Sequence, residues 1–516
     1  MKRRRYLRLM VCGGLVTACC LAAGLAAAAA DDGAANAVPL TAGFAEADIT
    51  PEIGMEAPGG YGKAFHQSVH DACKIRVAVF GDGANRVAIV GVDAIGVQGE
   101  MVEAARKAIH QRCGIEPKAI LIAGSHSHSS GPLCGVMPGA YDHASPVVQK
   151  LAYEQTICVN MDYYQESLNK LVDAVCQADA ARVAARCGAG KGTEDKVAFN
   201  RRFRMRNGMS FTHPGQGNPD IVEPAGPTDP DVGVIGAWNQ EGKLLGCIVN
   251  FACHATTSPG GISANYIYYL EQTIRGTFGP EVVVVFLPGT SGDVTQVNNL
   301  NPYVNPGEEA WCRLVGGRVG AEAVKVLLDM AAGDLGPVSA DQTVLDIVRR
   351  APDAERVKQA FETVQKDVAE VGHTDWTFAK ETVMLDAIVQ KQPRAAVEVQ
   401  ALQVGPVLLV GLPAEVFCQF GLDIKAGSNF PLTFPVSLAN ACVGYIPTEE
   451  AFGEHGGGYE TRLTSYTNLN ITAGRQMVEA AVAMARKMAP GTIPTPPPHG
   501  PFGGAWTYGN LPPQLH

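Results

Sequence analysis

Short, densely apolar runs alternate along the chain with longer segments of helical period, and this predicts an α/β (mixed α+β) architecture of layered mixed β-sheets flanked by helices. KIRVAVFG and RVAIVGVD, joined by a glycine-containing turn at 82–85, read as a β-hairpin ending at Asp93. A helix over 98–113 and a β-rich run at 119–123 follow, giving a strand, helix, strand unit. A second hairpin spans 231–257 with its turn at 239–243, and its second strand is apolar on both faces, as in a buried strand. EVVVVFLP and PVLLVG predict two more buried strands. Helical period covers 147–180, where Leu151, Ile157, Tyr164, Leu168, Leu171 and Val175 offer an inner face. It recurs over 308–330, 352–371 and 474–488, and we read these helices as scaffold.

Residues 1–30 stand outside this pattern. A basic start, MKRRRYLR, an apolar run, LMVCGGLVTACCLAAGL, and the alanines up to Ala30 form an export signal, to the periplasm or beyond. RRRYLR approaches the twin-arginine pattern, which implies export of an already folded chain. VTAC at 16–19 would permit lipid anchoring at Cys19, but the alanine stretch after it favours ordinary cleavage. Nothing later has the 18 or so uninterrupted apolar residues of a membrane span, which leaves only peripheral membrane contact. Residues 491–516 are rich in proline and glycine and read as a disordered tail.

With 46% hydrophobic and 18% charged residues, 58 glycines and 33 prolines, the composition suits a loop-rich enzyme better than a helical bundle. The net charge of −10 and the lack of a basic stripe argue against nucleic acid as a partner. Of 14 cysteines, Cys12, Cys19 and Cys20 fall in the leader, and no Cys-x-x-Cys remains to form a zinc ribbon or a redox motif. Cys176, Cys247 and Cys253 lie in apolar runs and are expected to be buried thiols; one or two disulfides would fit, with pairing left open.

The candidate chemistry sits at strand ends. AILIAGSHSHSSGP delivers His126 and His128 to the end of a buried strand, and if strand geometry persists they point to the same face. Such a pair can share a metal ion, or one ring can bind metal while the other handles substrate; the plainer reading is two loop histidines bonded to nearby serines. VNFACHATT delivers His254 to a second strand end, and a metal site needs ligands converging from several strands. Asp93 could line the site, but capping the next helix is the reading we adopt. In FNRRFRMRNG the clustered arginines are either a solvated surface or, as a fork, the partner of a carboxylate or oxyanion. The loop after EVVVVFLP lacks the lysine of a phosphate-binding P-loop, so its glycines Gly289 and Gly292 suit close backbone approach to a ligand or a strand. Glu415 falls at an expected helix start, where a carboxylate is favoured, and Tyr445 and Tyr459 sit beside glycine-rich loops, where tyrosines are often surface anchors.

Taken in order, GSHSHSSGP, FNRR, DPDVGVIGAW, VNFACHATT, LPGTSGDVTQVN, LPAEVF and VGYIPTEEAF with GGYET resemble successive blocks of the catalytic domain of neutral/alkaline non-lysosomal ceramidases, over roughly residues 41–490. The resemblance implies an exported zinc-dependent amidohydrolase acting on ceramide or a related N-acyl lipid. It implies Zn2+ ligands at His126, His254, Glu415 and Tyr445, and polarising or leaving-group contacts at His128, Arg201 and Tyr459. The chain departs from the family pattern where Gly289 stands in place of a substrate-contacting serine and where no immunoglobulin-like domain follows. Two other readings compete. An amidohydrolase barrel would need evenly spaced strand and helix repeats, which are not visible. A non-catalytic exported lipid- or carbohydrate-binding protein on the same scaffold would need no metal-dependent turnover.

Overall fold

In the computed structural model, which describes residues 40–496, 504, 506–509 and 511–516, the apolar runs pair into mixed sheets. The leader expected at 1–30 lies outside the described residues, as does part of the tail expected at 491–516. The first sheet contains β1 (Thr41–Asp48), β2 (Lys74–Gly81), β3 (Arg86–Val92), β4 (Ile120–Gly124) and β5 (Val183–Ala184), in the order β4-β3-β2-β1-β5. β2 and β3 form the expected hairpin, and α1 (Gly99–Cys113) supplies the crossover that a parallel β4 requires. The helical period over 147–180 resolves into two helices, α2 (Pro146–Glu154) and α3 (Met161–Ala180). Ser145 and Asn160 accept the Val148 and Tyr163 N–H groups as N-caps, and these caps divide what periodicity joins.

β6 (Arg186–Thr193) opens the second sheet. The short strands β7 (Phe199–Asn200), β8 (Arg202–Met205), β9 (Ser210–Thr212) and β10 (Ile221–Pro224) then carry the arginine cluster. β11 (Asp231–Trp238), β12 (Leu244–Phe251), α4 (Tyr266–Phe278) and β13 (Val283–Pro288) complete that sheet in the order β13-β12-β11-β6, with β12 and β13 parallel. β14 (Val294–Thr295) pairs back to β7, and α5 (Glu308–Asp329) follows close to its expected bounds.

β15 (Val338–Val348) is followed by α6 (Ala354–Val364), α7 (Val368–Val371) and α8 (His373–Lys391), then by β16 (Arg394–Val404), β17 (Val407–Gly411), β18 (Glu415–Val416), α9 (Cys418–Gly427), β19 (Leu432–Val436), β20 (Tyr445–Ile446) and α10 (Ala473–Ala485). The third sheet runs β15-β16-β17-β19, while β18 and β20 form a separate parallel pair. Val77, Ile89 and Ile122 of the first sheet, Val285 of the second, and Leu409 and Phe434 of the third share one apolar core. Among the described residues no helix is long and apolar enough to cross a membrane. The cysteines of the described residues are free: Cys247 and Cys253 are buried as expected, while Cys176 is half-buried with its sulfur 3.0 Å from that of Cys113.

Asp93 does not cap α1, whose N-cap residue is Gln98. Its Oδ2 accepts from Arg76 Nη1 at 2.6 Å and from the Lys74 N–H at 2.8 Å, and Arg76 Nε donates to Glu271 at 2.8 Å. Burial pushes the Asp93 carboxyl up to about 6 against the pull of Arg76. Arg76→Met would leave buried Asp93 without its cation, while Glu271 keeps Lys74 and Arg275, an expected loss of about 3–5 kcal/mol. A lowered urea midpoint checks this; a midpoint equal to the parent's would refute it.

Candidate metal centre

Residues leaving the carboxyl ends of β4, β12 and β17 converge on one place, the kind of crevice where layered α/β folds hold ligands. β4 stops at Gly124, and His126 takes φ +66, a left-handed conformation rare outside glycine. Strand geometry therefore does not persist, and alternation is not what brings the two histidines together. The reversal is pinned by the His126 N–H on Ala94 O at 2.9 Å and by Ser127 Oγ donating to Ser263 O at 2.8 Å. It sets the His126 and His128 rings edge to face, with their Nε2 atoms 3.3 Å apart. His254 follows β12 and is held by its N–H on Val294 O at 3.1 Å. Glu415 lies in β18, in register with Tyr445 of β20, and not at a helix start. The first turn of α9 is served instead by Asp293, whose Oδ1 accepts the Cys418 N–H at 2.8 Å.

The donor chemistry fits a cation. His126 Nδ1 is 2.8 Å from Ile95 O, and His254 Nδ1 is 2.7 Å from Ser291 O. A carbonyl only accepts, so each Nδ1 carries a proton, and in the neutral form of each ring Nε2 is an acceptor. Both Nε2 atoms then face Glu415 Oε2, at 3.3 and 3.1 Å, and a carboxylate is an acceptor too. With both rings neutral, three acceptors turn on one point, an arrangement that a shared cation satisfies. Arg201 Nη1, 3.2 Å from His254 Nε2, supplies part of that charge at one ring. The three ligand atoms lie within 4.8 Å of one another, and backbone carbonyls behind the imidazoles are the usual support for metal-binding histidines. Two imidazoles and a carboxylate suit zinc among the common ions.

Burial alone would raise the Glu415 carboxyl, but His126 and His254 hold it well below the usual range. Burial would lower His126, yet Glu415 carries it above its ordinary value. Burial and then Arg201 push His254 down to about 3, and burial followed by the neighbouring histidines holds His128 well below its ordinary value. Neutral rings at His254 and His128 are the forms that can bind metal or accept a proton.

Arg201, buried at 3% exposure, is fully engaged behind the site. Nε donates to Glu460 Oε1 at 2.8 Å, and Nη2 donates to Gly292 O and to the Tyr459 hydroxyl, both at 2.8 Å. Of the two readings of the arginine cluster, Arg201 follows the carboxylate-partner one. Tyr445 and Tyr459 are not surface anchors: both line the cavity and their hydroxyls are bonded at 2.7 Å. Gly289 is not among the residues lining the cavity. A Cβ there would lie 2.9 Å from Ala252 Cα, so the expected substrate contact gives way to close packing between loop and chain. Gly292 does the same against the Glu415 carbonyl, where a Cβ would come within 2.4 Å.

His126, His128 and Glu415 open onto a cavity of about 830 Å³, within the range of ligand pockets. The turn-rich PGGYGK segment lies over it, with Gly59 against His128. Ile95, Val136, Met137, Ile157 and Val443 make much of its wall apolar. Sequence reasoning missed the rest of the lining. Glu381, Met384, Ile388 and Lys391 form one face of α8, and Arg349 leaves the end of β15 to join them. The helical spacing of the four α8 residues is visible in ETVMLDAIVQK, but such a stripe looks the same whether it faces a core or a cavity.

No family model matches the chain, and no curated protein matches it by sequence. Solved structures do. The neutral ceramidase from Pseudomonas aeruginosa aligns with a TM-score of 0.64 at 19% identity, covering 89% of this chain and 77% of that one. A ceramidase complexed with C2 aligns with a TM-score of 0.63 at 18% identity and the same coverage. The layered mixed α+β arrangement expected from the apolar pattern is the fold of neutral ceramidase.

Proposed function

We propose that the chain is an exported zinc-dependent amidohydrolase that cleaves the amide bond of an N-acyl lipid, ceramide or a related N-acyl amide. The observation that carries this is the meeting of His126 Nε2, His254 Nε2 and Glu415 Oε2 beside an apolar-walled cavity. Zinc held by these three, with Tyr445 as fourth donor, would supply Lewis acidity toward the amide carbonyl and a water acidic enough to react near neutral pH.

The chain's own residues supply the remainder. The Tyr459 hydroxyl accepts from Arg201 Nη2 and is thereby polarised to donate to the oxyanion that develops on the amide carbonyl. Neutral His128, beside His126 on the cavity, can take a proton and hand it to the departing amine. Arg201 works through Tyr459 and His254, which makes it a positioning residue. The apolar wall suits an acyl chain, since each buried methylene contributes about 0.8 kcal/mol. Tyr459→Phe is expected to lower kcat by roughly 10²–10³, the usual loss for one oxyanion donor; steady-state kinetics would show it, and an unchanged kcat would exclude the role.

The test is purified protein incubated with ceramides and simpler N-acyl amides. Release of fatty acid and free amine is expected, lost on chelation and restored by zinc; no release from any of them contradicts the reading. The leader supports export, so sequencing the mature protein should find a start near Asp31, and a retained Met1 would count against it.

A further inference from the structure

One end of the cavity carries polar groups that the amide chemistry does not use. Arg349, Glu381, Tyr141 and Ser465 all line it. Tyr141 is buried within this cluster, in the field of both Glu381 and Arg349. The cluster is one aromatic ring away from the metal centre: the Tyr466 ring lies 6.3 Å from that of Tyr445 and feels the charge of Glu381.

The charges here are unevenly matched. Glu381 Oε1 lies 3.5 Å from Lys380 Nζ, and Oε2 accepts from Ser465 Oγ, so this acid already has its cation and a donor. Arg349 has neither. Its Nη1 donates to the Asn468 side chain at 2.6 Å, its Nε is buried with no hydrogen-bond partner, and no carboxylate pairs with it among the described residues. A part-buried guanidinium without an anion is costly to keep. It becomes favourable when a ligand brings an anion to the part of the guanidinium that lines the cavity, where a charge-assisted hydrogen bond can form.

We propose that Arg349 is the specificity-determining residue of an anion subsite in this cavity, and that the substrates it favours are N-acyl amides with a carboxylate on the amine half, that is, N-acyl amino acids. This rests on the amide-hydrolase reading above. The acyl half is apolar and has nothing for a guanidinium, so the charge belongs to the amine half. A single negative charge suits the subsite better than two, because Glu381 shares the same wall.

The test compares three amides of one acyl chain on the zinc-loaded protein: N-dodecanoylglycine, neutral N-dodecanoylethanolamine, and the O-phosphate of the latter. The expected order of kcat/KM puts the carboxylate first. Arg349→Met should lower kcat/KM for the carboxylate amide roughly ten- to hundredfold through KM, the usual loss of a hydrogen bond to a charged group, while the neutral amide is cleaved as before. Arg349→Lys should keep part of the preference, and it serves if the methionine variant does not fold. Equal turnover of the carboxylate and neutral amides, a preference for the phosphate, or a parallel change in all three amides on substitution would overturn the proposal. If the parent cleaves none of them, the hydrolase reading falls, and calorimetric binding of the same compounds decides the subsite alone. Tighter binding of the carboxylate that depends on Arg349 supports it, and equal binding overturns it.

Discussion

If the chain is the metal-dependent amidase proposed above, Glu415→Gln is expected to cost it the metal and, with it, roughly a thousandfold or more of its activity. The carboxylate is the only anion among the three converging ligand atoms, and the two rings beside it are already committed by their Nδ1 bonds to Ile95 O and Ser291 O. A glutamine of the same shape brings no charge to the cation. Losing several kcal/mol of Lewis-acid stabilisation corresponds to that factor in rate, at 1.36 kcal/mol per tenfold. The variant should still fold, because Glu415 joins β18 to β20 through its backbone. The check is a pair of melting curves: zinc should raise the Tm of the parent and leave that of the variant unmoved, as expected for a ligand that binds only the intact site. A variant stabilised by zinc to the same extent would remove Glu415 from the centre.

Arg201→Met should be the most damaging change away from the ligands, in stability as well as in rate. It leaves Glu460, with 0% exposure, without its close ion pair, since the remaining approach of Arg202 Nε is 3.6 Å and Thr212 supplies only a hydroxyl. Breaking a buried pair from one side costs about 3–5 kcal/mol. The same change frees the Tyr459 hydroxyl from Nη2 and removes Nη1 from His254. Arg201→Lys should fall between parent and methionine variant, because a point-like ammonium cannot reproduce a fork that serves Glu460, Tyr459, His254 and Gly292 together. Urea denaturation and kcat, measured on both variants, check this; a methionine variant as stable as the parent would show that Glu460 is satisfied without Arg201.

How far the site can be seen in the chain depends on how each residue is delivered. His126 and His254 are legible because a buried apolar strand that ends in a histidine is a pattern of consecutive residues. Glu415 is visible as a carboxylate after a strand, but its pairing with Tyr445 is a contact between β18 and β20 that local pattern does not encode, so a helix cap looks equally good there. Asp93 shows the converse: local pattern suggests a cap, while its partner Arg76 comes from a neighbouring strand and is shared with Glu271 of a distant helix. The boundary between α2 and α3 is written in Ser145 and Asn160, which periodicity ignores. α8 and Arg349 are the least legible, because the half-exposed β15 and the stripe on α8 resemble scaffold until the fold turns them toward the same cavity as His128.

The central claim is that His126, His254 and Glu415 hold one ion. Anomalous X-ray scattering at the zinc edge, from crystals of the purified protein, tests it most directly. We expect a single strong peak bounded by Nε2 of His126, Nε2 of His254 and Oε2 of Glu415; a zinc-replete crystal with no peak there, or with its peak on other residues, would contradict the account.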